Sequence, residues 1–143
     1  MSKSQIANRK SQIKLKRAVE FHGHLGPYLV LGLLAGEWAL KKLKAKKHFG
    51  LKVKVWGANQ RPRSCLIDGL QLSTGATYGK GNIQKIKGRK IQIAVLNLKN
   101  NKKIKLSLNE GLIERLAILK GHKDSEFLAK KIFVSTPKEL FDF

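Results

Sequence analysis

A single cysteine, Cys65, stands in a chain of 143 residues. That scarcity excludes an internal disulfide framework and a zinc ribbon with paired C-x-x-C knuckles, and it makes a reducing, cytoplasmic setting the expectation. Long apolar runs are missing as well. The longest, Tyr28 to Leu40, contains Glu37 and is shorter than the ~20 residues of a membrane span, so it reads as a buried core helix and no membrane partner is expected. The first twenty residues lack the apolar stretch of a secretory signal; their Ser, Lys and Arg content loosely resembles a transit peptide, the weaker reading. No Ser/His/Asp order supports hydrolysis, and no carboxylate pair suits glycosidase-type acid/base work.

Acids are the scarcest group relative to their opposites. Nine Asp+Glu face 30 Lys+Arg, a net charge of +21. Residues 1–108 carry 24 basic side chains beside only Glu20, Glu37 and Asp68, whereas residues 109–143 hold six of each sign. One sign over three quarters of the chain favours a polyanion that neutralises it. Nucleic acid, an acidic partner subunit, or merely a Lys-rich proteome all fit this composition. What is present otherwise, 42% hydrophobic and 27% charged residues, is enough for one globular domain over 1–143 without metal or disulfide support.

Residues 4–20 read as a basic amphipathic helix, with Ile6, Ile13, Leu15, Ala18 and Val19 on its apolar side and Lys10, Lys14, Lys16 and Arg17 facing water. Phe21 to Pro27 interrupts it, and a central packing helix follows from about Pro27 to Lys46. Gly32 and Gly36 let another backbone approach that helix. Lys41, Lys42, Lys44, Lys46 and Lys47 lie at its negative end, with Gly50 as a stop signal. Leu51–Trp56 alternates as a half-buried strand. A helix from Cys65 to Gly75 has Ser64 as candidate N-cap. Strands are expected at Ile83–Ile86, Lys90–Leu96 and Ile104–Leu108, the last two joined as a hairpin. Asn109 caps a helix to about Lys120, a short helix spans Asp124–Lys131, and residues 132–143 dock through Leu140, Phe141 and Phe143 on the domain or on a second copy. The order is α+β, a central antiparallel or mixed sheet packed by helices. If the charge serves nucleic acid, the 1–20 helix and the Lys41–Lys54 stretch, including Lys52 and Lys54, are the contact surface.

Chemistry concentrates in two places. His22-Gly23-His24 can converge two imidazoles on one point, and imidazole is a common ligand for zinc and similar ions. Cys65, at a helix start between Arg61 and Arg63, is either a third ligand or reactive thiolate with a lowered pKa, or a small buried filler. Asp68, Gln71 and Thr74 share a helical face that is either a solvated stripe or a cavity wall. The loop Gly75–Gly81 fails as a P-loop, because its spacing is one residue short and Gly81 replaces the Ser/Thr that would hold magnesium; a less specific anion site at Lys80 remains open. His48 and His122 are expected at the surface.

These pieces have a family likeness. Phe21-His22-Gly23-His24-Leu25-Gly26-Pro27, followed by an apolar helix with Gly32, resembles the F-H-G-H-x-C-P-G-x-x-x-G signature of the FmdE family of formylmethanofuran dehydrogenase subunits. Cys65 to Asn82 resembles its second signature, C-x-x-D-A-x-Q-x-x-T-G-C-T-x-G-K-G-N. The resemblance implies an α+β domain, often dimeric, with a divalent transition metal, zinc above all, at His22, His24 and Cys65, and with Asp68, Gln71, Thr74, Thr77, Lys80 and Asn82 lining the pocket. It also opens a reading as accessory subunit of a larger oxidoreductase, since the family name comes from a component of a molybdenum or tungsten enzyme. Gly26 and Ala76 stand where the signatures have cysteine, Gly69 where the second has alanine, Tyr28 where the first has glycine, and the C-terminal zinc ribbon of some members is absent.

Overall fold

The computed structural model describes residues 2–143, apart from the side chains of Ala7 and Asn8. Helix α1 covers Lys3–His22 and opens with a capping box in which Ser2 and Gln5 satisfy each other's backbone N–H groups. It runs two residues further than the apolar pattern suggests, so Phe21 and His22 belong to its last turn rather than to a break. Gly23, at φ 107°, ends it in the left-handed region that only glycine enters without strain. Helix α2, Pro27–Leu43, starts with Pro27 in its first turn behind an extended Gly26. It stops short of Lys46 because Lys44 turns left-handed (φ 50°) and the Leu43 carbonyl is taken by the Asn97 side-chain amide at 2.9 Å.

Five strands form one sheet in the order β2-β1-β3-β4-β5. Strands β1 (Leu51–Trp56) and β2 (Ile83–Ile86) run parallel, connected by helix α3 (Cys65–Thr74); β3 (Gln92–Asn97), β4 (Lys103–Leu108) and β5 (Phe141–Asp142) add in antiparallel sense. The period-two pattern of β1 decides its faces: Leu51, Val53 and Val55 are buried, while Lys52 and Lys54 are exposed. Leu106 and Leu108 of β4 and Ile93 and Val95 of β3 continue the buried face, which α2 and α3 cover with Val30, Leu31, Leu66 and Leu70.

Close approach of α2 and α3 defines the helical layer. A Cβ at Gly32 would lie well inside van der Waals contact with the Leu66 carbonyl, one at Gly69 would meet the Leu29 carbonyl, and one at Gly36 would strike the Ser73 hydroxyl. Ser73 fills that last gap and donates to the Gly69 carbonyl at 2.9 Å. Helix α1 rests on this pair, where Ala18, Leu29 and Leu33 form a small separate apolar cluster.

Ser64 holds the N-cap position of α3, as expected, but its side chain does not cap the helix. It has helical backbone angles and no capping bond, because a tight turn already engages the first amides: Cys65 N–H reaches the Pro62 carbonyl and Ile67 N–H that of Ser64. Asn109 does cap α4 (Glu110–Ala117), accepting from Gly111 N–H at 2.9 Å. Helix α5 (Gly121–Phe133) begins before Asp124, whose carboxylate reaches back to the Lys120 N–H at 3.2 Å instead of starting the helix. The C-terminal segment docks on its own domain: α6 (Pro137–Leu140) and β5 bury Leu140 and Phe141, and the Phe143 ring lies 4.4 Å from that of Trp38. Among the described residues no helix is long and apolar enough to cross a membrane.

Candidate metal centre

The end of α1 and the first turns of α3 bring the two signatures together. His22 Nδ1 lies 2.6 Å from Asp68 Oδ2. A carboxylate can only accept, so Nδ1 is the donor, and in the neutral imidazole Nε2 carries the lone pair. The His22 side chain is 10% exposed, and Nε2 is buried without a hydrogen-bond partner. Such an orphan is uncommon in folded proteins and points to an unfilled role.

Beyond Gly23 the chain turns back so that the His24 ring lies 4.7 Å from that of His22, centroid to centroid. His122, on the first turn of α5, meets His24 edge-on at 6.5 Å. It is exposed, as the sequence suggests, yet it completes a row of three imidazoles that sequence reasoning missed. Ninety-eight residues separate His122 from His24, and no local pattern marks the pairing.

His24, Tyr28, Cys65 and His122 share the walls of one cavity of about 340 Å³, closed by Pro62, Leu116 and Leu119. Cys65 is half-buried, but its thiol departs from the expected reactivity: burial pushes its pKa up, the nearby Asp68 charge adds to this, and Arg61 opposes only in part. Arg63, the other flanking cation, directs its guanidinium to the Arg89 carbonyl at 3.0 Å. Burial likewise raises the Tyr28 phenol. Although His24 and Cys65 share a cavity and His22 is tied to Asp68, no group of three or more His, Cys, Asp or Glu side chains among the described residues is placed to hold one ion together. The thiol does not close a three-ligand cluster with the two imidazoles.

The remaining signature residues are not in the walls of this cavity. Gln71 accepts from the Tyr78 N–H at 3.1 Å, and Thr74, fully buried, donates to the Leu70 carbonyl at 2.6 Å. Thr77 receives both the backbone and the ammonium of Lys80, while Asn82 accepts from Thr77 N–H and donates to the Leu51 carbonyl. Their polar atoms are spent holding the Gly75–Asn82 loop against α3 and β1, a network spacing alone cannot tell from a pocket lining. Ala76 sits in the hydrophobic core. At Gly26, by contrast, a Cβ would lie 3.3 Å from His24 Nε2, so that signature position points at the imidazoles.

The other basic residues do not gather on one surface. Lys10, Lys16 and Arg17 are exposed on α1 and Lys14 pairs with Glu37 at 3.2 Å. Lys41, Lys42, Lys44, Lys46 and Lys47 are exposed around the end of α2, whereas Lys52 and Lys54 project from the sheet face that α2 and α3 leave open.

His24 is exposed, yet partial desolvation of its ring, His22 and His122 all lower its pKa, against a smaller opposing pull from Glu126. A histidine whose pKa is lower folded than unfolded contributes stability above its ordinary value of about 6.5 and loses it as pH falls through that value. We therefore expect the His24 ring to titrate below about 6.5 by NMR, and the melting temperature of metal-free protein to decline between about pH 7 and pH 5, less so in His24→Gln. A His24 midpoint at or above the ordinary value would contradict this.

A probable S-adenosyl-L-methionine-binding protein of Archaeoglobus fulgidus is 30% identical over 106 residues, which is 72% of this chain; the chain spans 29% of that relative's length. The crystal structure of a tungsten formylmethanofuran dehydrogenase FmdE-like protein from Syntrophus aciditrophicus superposes with a TM-score of 0.64 at 18% identity, over 92% of this chain and 69% of that one, and so shares its fold. The family model described as FmdE, molybdenum formylmethanofuran dehydrogenase operon, matches residues 21–140, a stretch that opens at the row of imidazoles and closes at the docked C-terminal segment. The chain belongs to the FmdE family.

Proposed function

We propose that this FmdE-family domain holds a divalent transition ion, zinc being the expected one, at His22 and His24, in an open site beside the cavity. The observation that carries the reading is the buried, unpartnered Nε2 of His22, with Nδ1 braced by Asp68 and the His24 ring alongside, tilted by 39°. A carboxylate behind an imidazole that turns its other nitrogen toward an ion is a recurring arrangement in metal sites.

Two imidazoles are fewer than the four ligands of a closed structural zinc site, which leaves positions for water, a small ligand or a residue of a second copy. A bound ion of this class supplies Lewis acidity to whatever occupies those positions. Asp68 fixes the tautomer and orientation of His22; Tyr28 and His122 line the cavity beside His24. Cys65 shares the cavity wall with His24 but stands outside any three-ligand group with the imidazoles, and its deprotonation works against both burial and the Asp68 charge. Relative to the molybdenum or tungsten enzyme behind the family name, this role is an accessory one.

Zinc titration of tag-free protein against a chromogenic chelator tests the reading. The expected result is one equivalent per chain, lost in His22→Ala/His24→Ala. Retention in Cys65→Ser gives a two-imidazole site, loss adds the thiolate, and a doubled mass on adding zinc assigns a ligand to the second copy. Unchanged affinity in the double histidine variant would sink the proposal.

A further inference from the structure

The sheet face that the helices leave open carries an ordered pattern of charge. Strand register puts Lys52, Leu96 and Lys103 in one cross-strand row and Lys54, Ala94 and Lys105 in the next. Cross-strand partners project to the same face. Two lysine rails on β1 and β4 thus flank an apolar floor on β3, making a trough of about 550 Å³. The rails stand roughly 9–10 Å apart, and lysines within a rail are separated by roughly 6.7 Å. Trp56 closes one end, its ring under the Lys105 ammonium at 5.1 Å. Trp56 shares its row with Gln92 and Ser107, and among the described residues the only acid paired into that row is Asp142, at the outer edge.

We infer that this trough binds single-stranded nucleic acid, with phosphates along the lysine rails and a base stacked on Trp56. Four cations without an interleaved acid repel a second copy of the same face and attract a polyanion. An extended strand has a regular phosphate spacing that a rail of alternate residues can follow, and its bases present flat apolar surfaces to Ala94, Leu96 and the indole. A duplex exposes phosphates but no free base face, and an acidic peptide offers nothing to stack. The inference is independent of the metal reading, since the trough and the imidazoles lie on different faces of the fold.

Fluorescence anisotropy of the full chain with labelled oligo-dT and oligo-rU of roughly 15 nucleotides, a duplex of equal length, and polyglutamate as competitor tests it. Binding near 0.1 M salt is expected, with a log–log salt slope of about −3 for four lysines at about 0.7 per phosphate on single strands. Lys54→Gln/Lys105→Gln should bring the slope down to about −1.4 and weaken binding at least roughly tenfold at an unchanged melting temperature. In Trp38→Phe protein, whose remaining tryptophan is Trp56, the strand should quench fluorescence. The inference fails if no strand binds, if the lysine pair is dispensable while Lys10→Gln/Lys16→Gln/Arg17→Gln on α1 abolishes binding, or if the duplex or polyglutamate binds as tightly as the single strand.

Discussion

Gly69→Ala, which restores the residue usual at this signature position, is expected to destabilise the protein by about 3 kcal/mol and lower its melting temperature by roughly 10 °C. Alanine is otherwise the better helix former by about 1 kcal/mol, so a stabilising change would be the naive expectation. The geometry reverses it. The new methyl group would lie inside contact distance of the Leu29 carbonyl and 2.6 Å from the Leu33 nitrogen, and both belong to the backbone of α2, which cannot rotate away as a side chain can. The helices must separate, loosening Leu66 and Leu70 from the core. Gly32→Ala meets the same interface from the other side and should have a similar effect, the double variant losing less than the sum because one separation serves both. Thermal and urea melts of the two single variants measure this; a melting temperature equal to or above the parent's would show that the helices already stand further apart.

Asp68→Asn is expected to lower zinc affinity about 10- to 100-fold with little effect on stability. Asparagine is the same size and its carbonyl still accepts from His22 Nδ1, so the fold is spared. What goes is the negative charge that makes the imidazole a stronger ligand and selects its tautomer. The same change removes one of the two influences that raise the Cys65 thiol, so the cysteine should react faster with a thiol reagent at neutral pH even as the ion binds more weakly. Opposite movement of the two readouts separates loss of a carboxylate charge from a general loosening of the site. If affinity holds while Cys65 reactivity rises, Asp68 acts on the thiol alone and the bracing of His22 has no part in binding.

Much of this was legible in the chain. Period two in Leu51–Trp56, glycine and proline punctuation around residues 23–27, and the Asn109 cap are local effects, set by side-chain alternation and backbone stereochemistry within a few residues. The two signatures named the family, and with it the α+β fold that the sheet and helices bear out. Of the misjudged boundaries one had a tertiary cause and one a local cause: α2 ends at Leu43, where Asn97 takes its carbonyl from 54 residues away, whereas α5 starts before Asp124, whose carboxylate reaches back four residues to Lys120.

Composition and order of residues determined that the chain folds without disulfides, that its net positive charge is confined to residues 1–108, and that His22 and His24 stand together. Only the folded chain decided which groups they meet. Asp68 takes one nitrogen of His22, His122 joins from the far end of the sequence, the signature's Gln71, Thr77 and Asn82 turn to holding their own loop, and strand register lines up four lysines that no linear pattern connects. Local preferences act over a few bonds, whereas hydrogen bonds, like the burial that moves the Cys65 thiol upward, depend on distances that exist only after packing has closed.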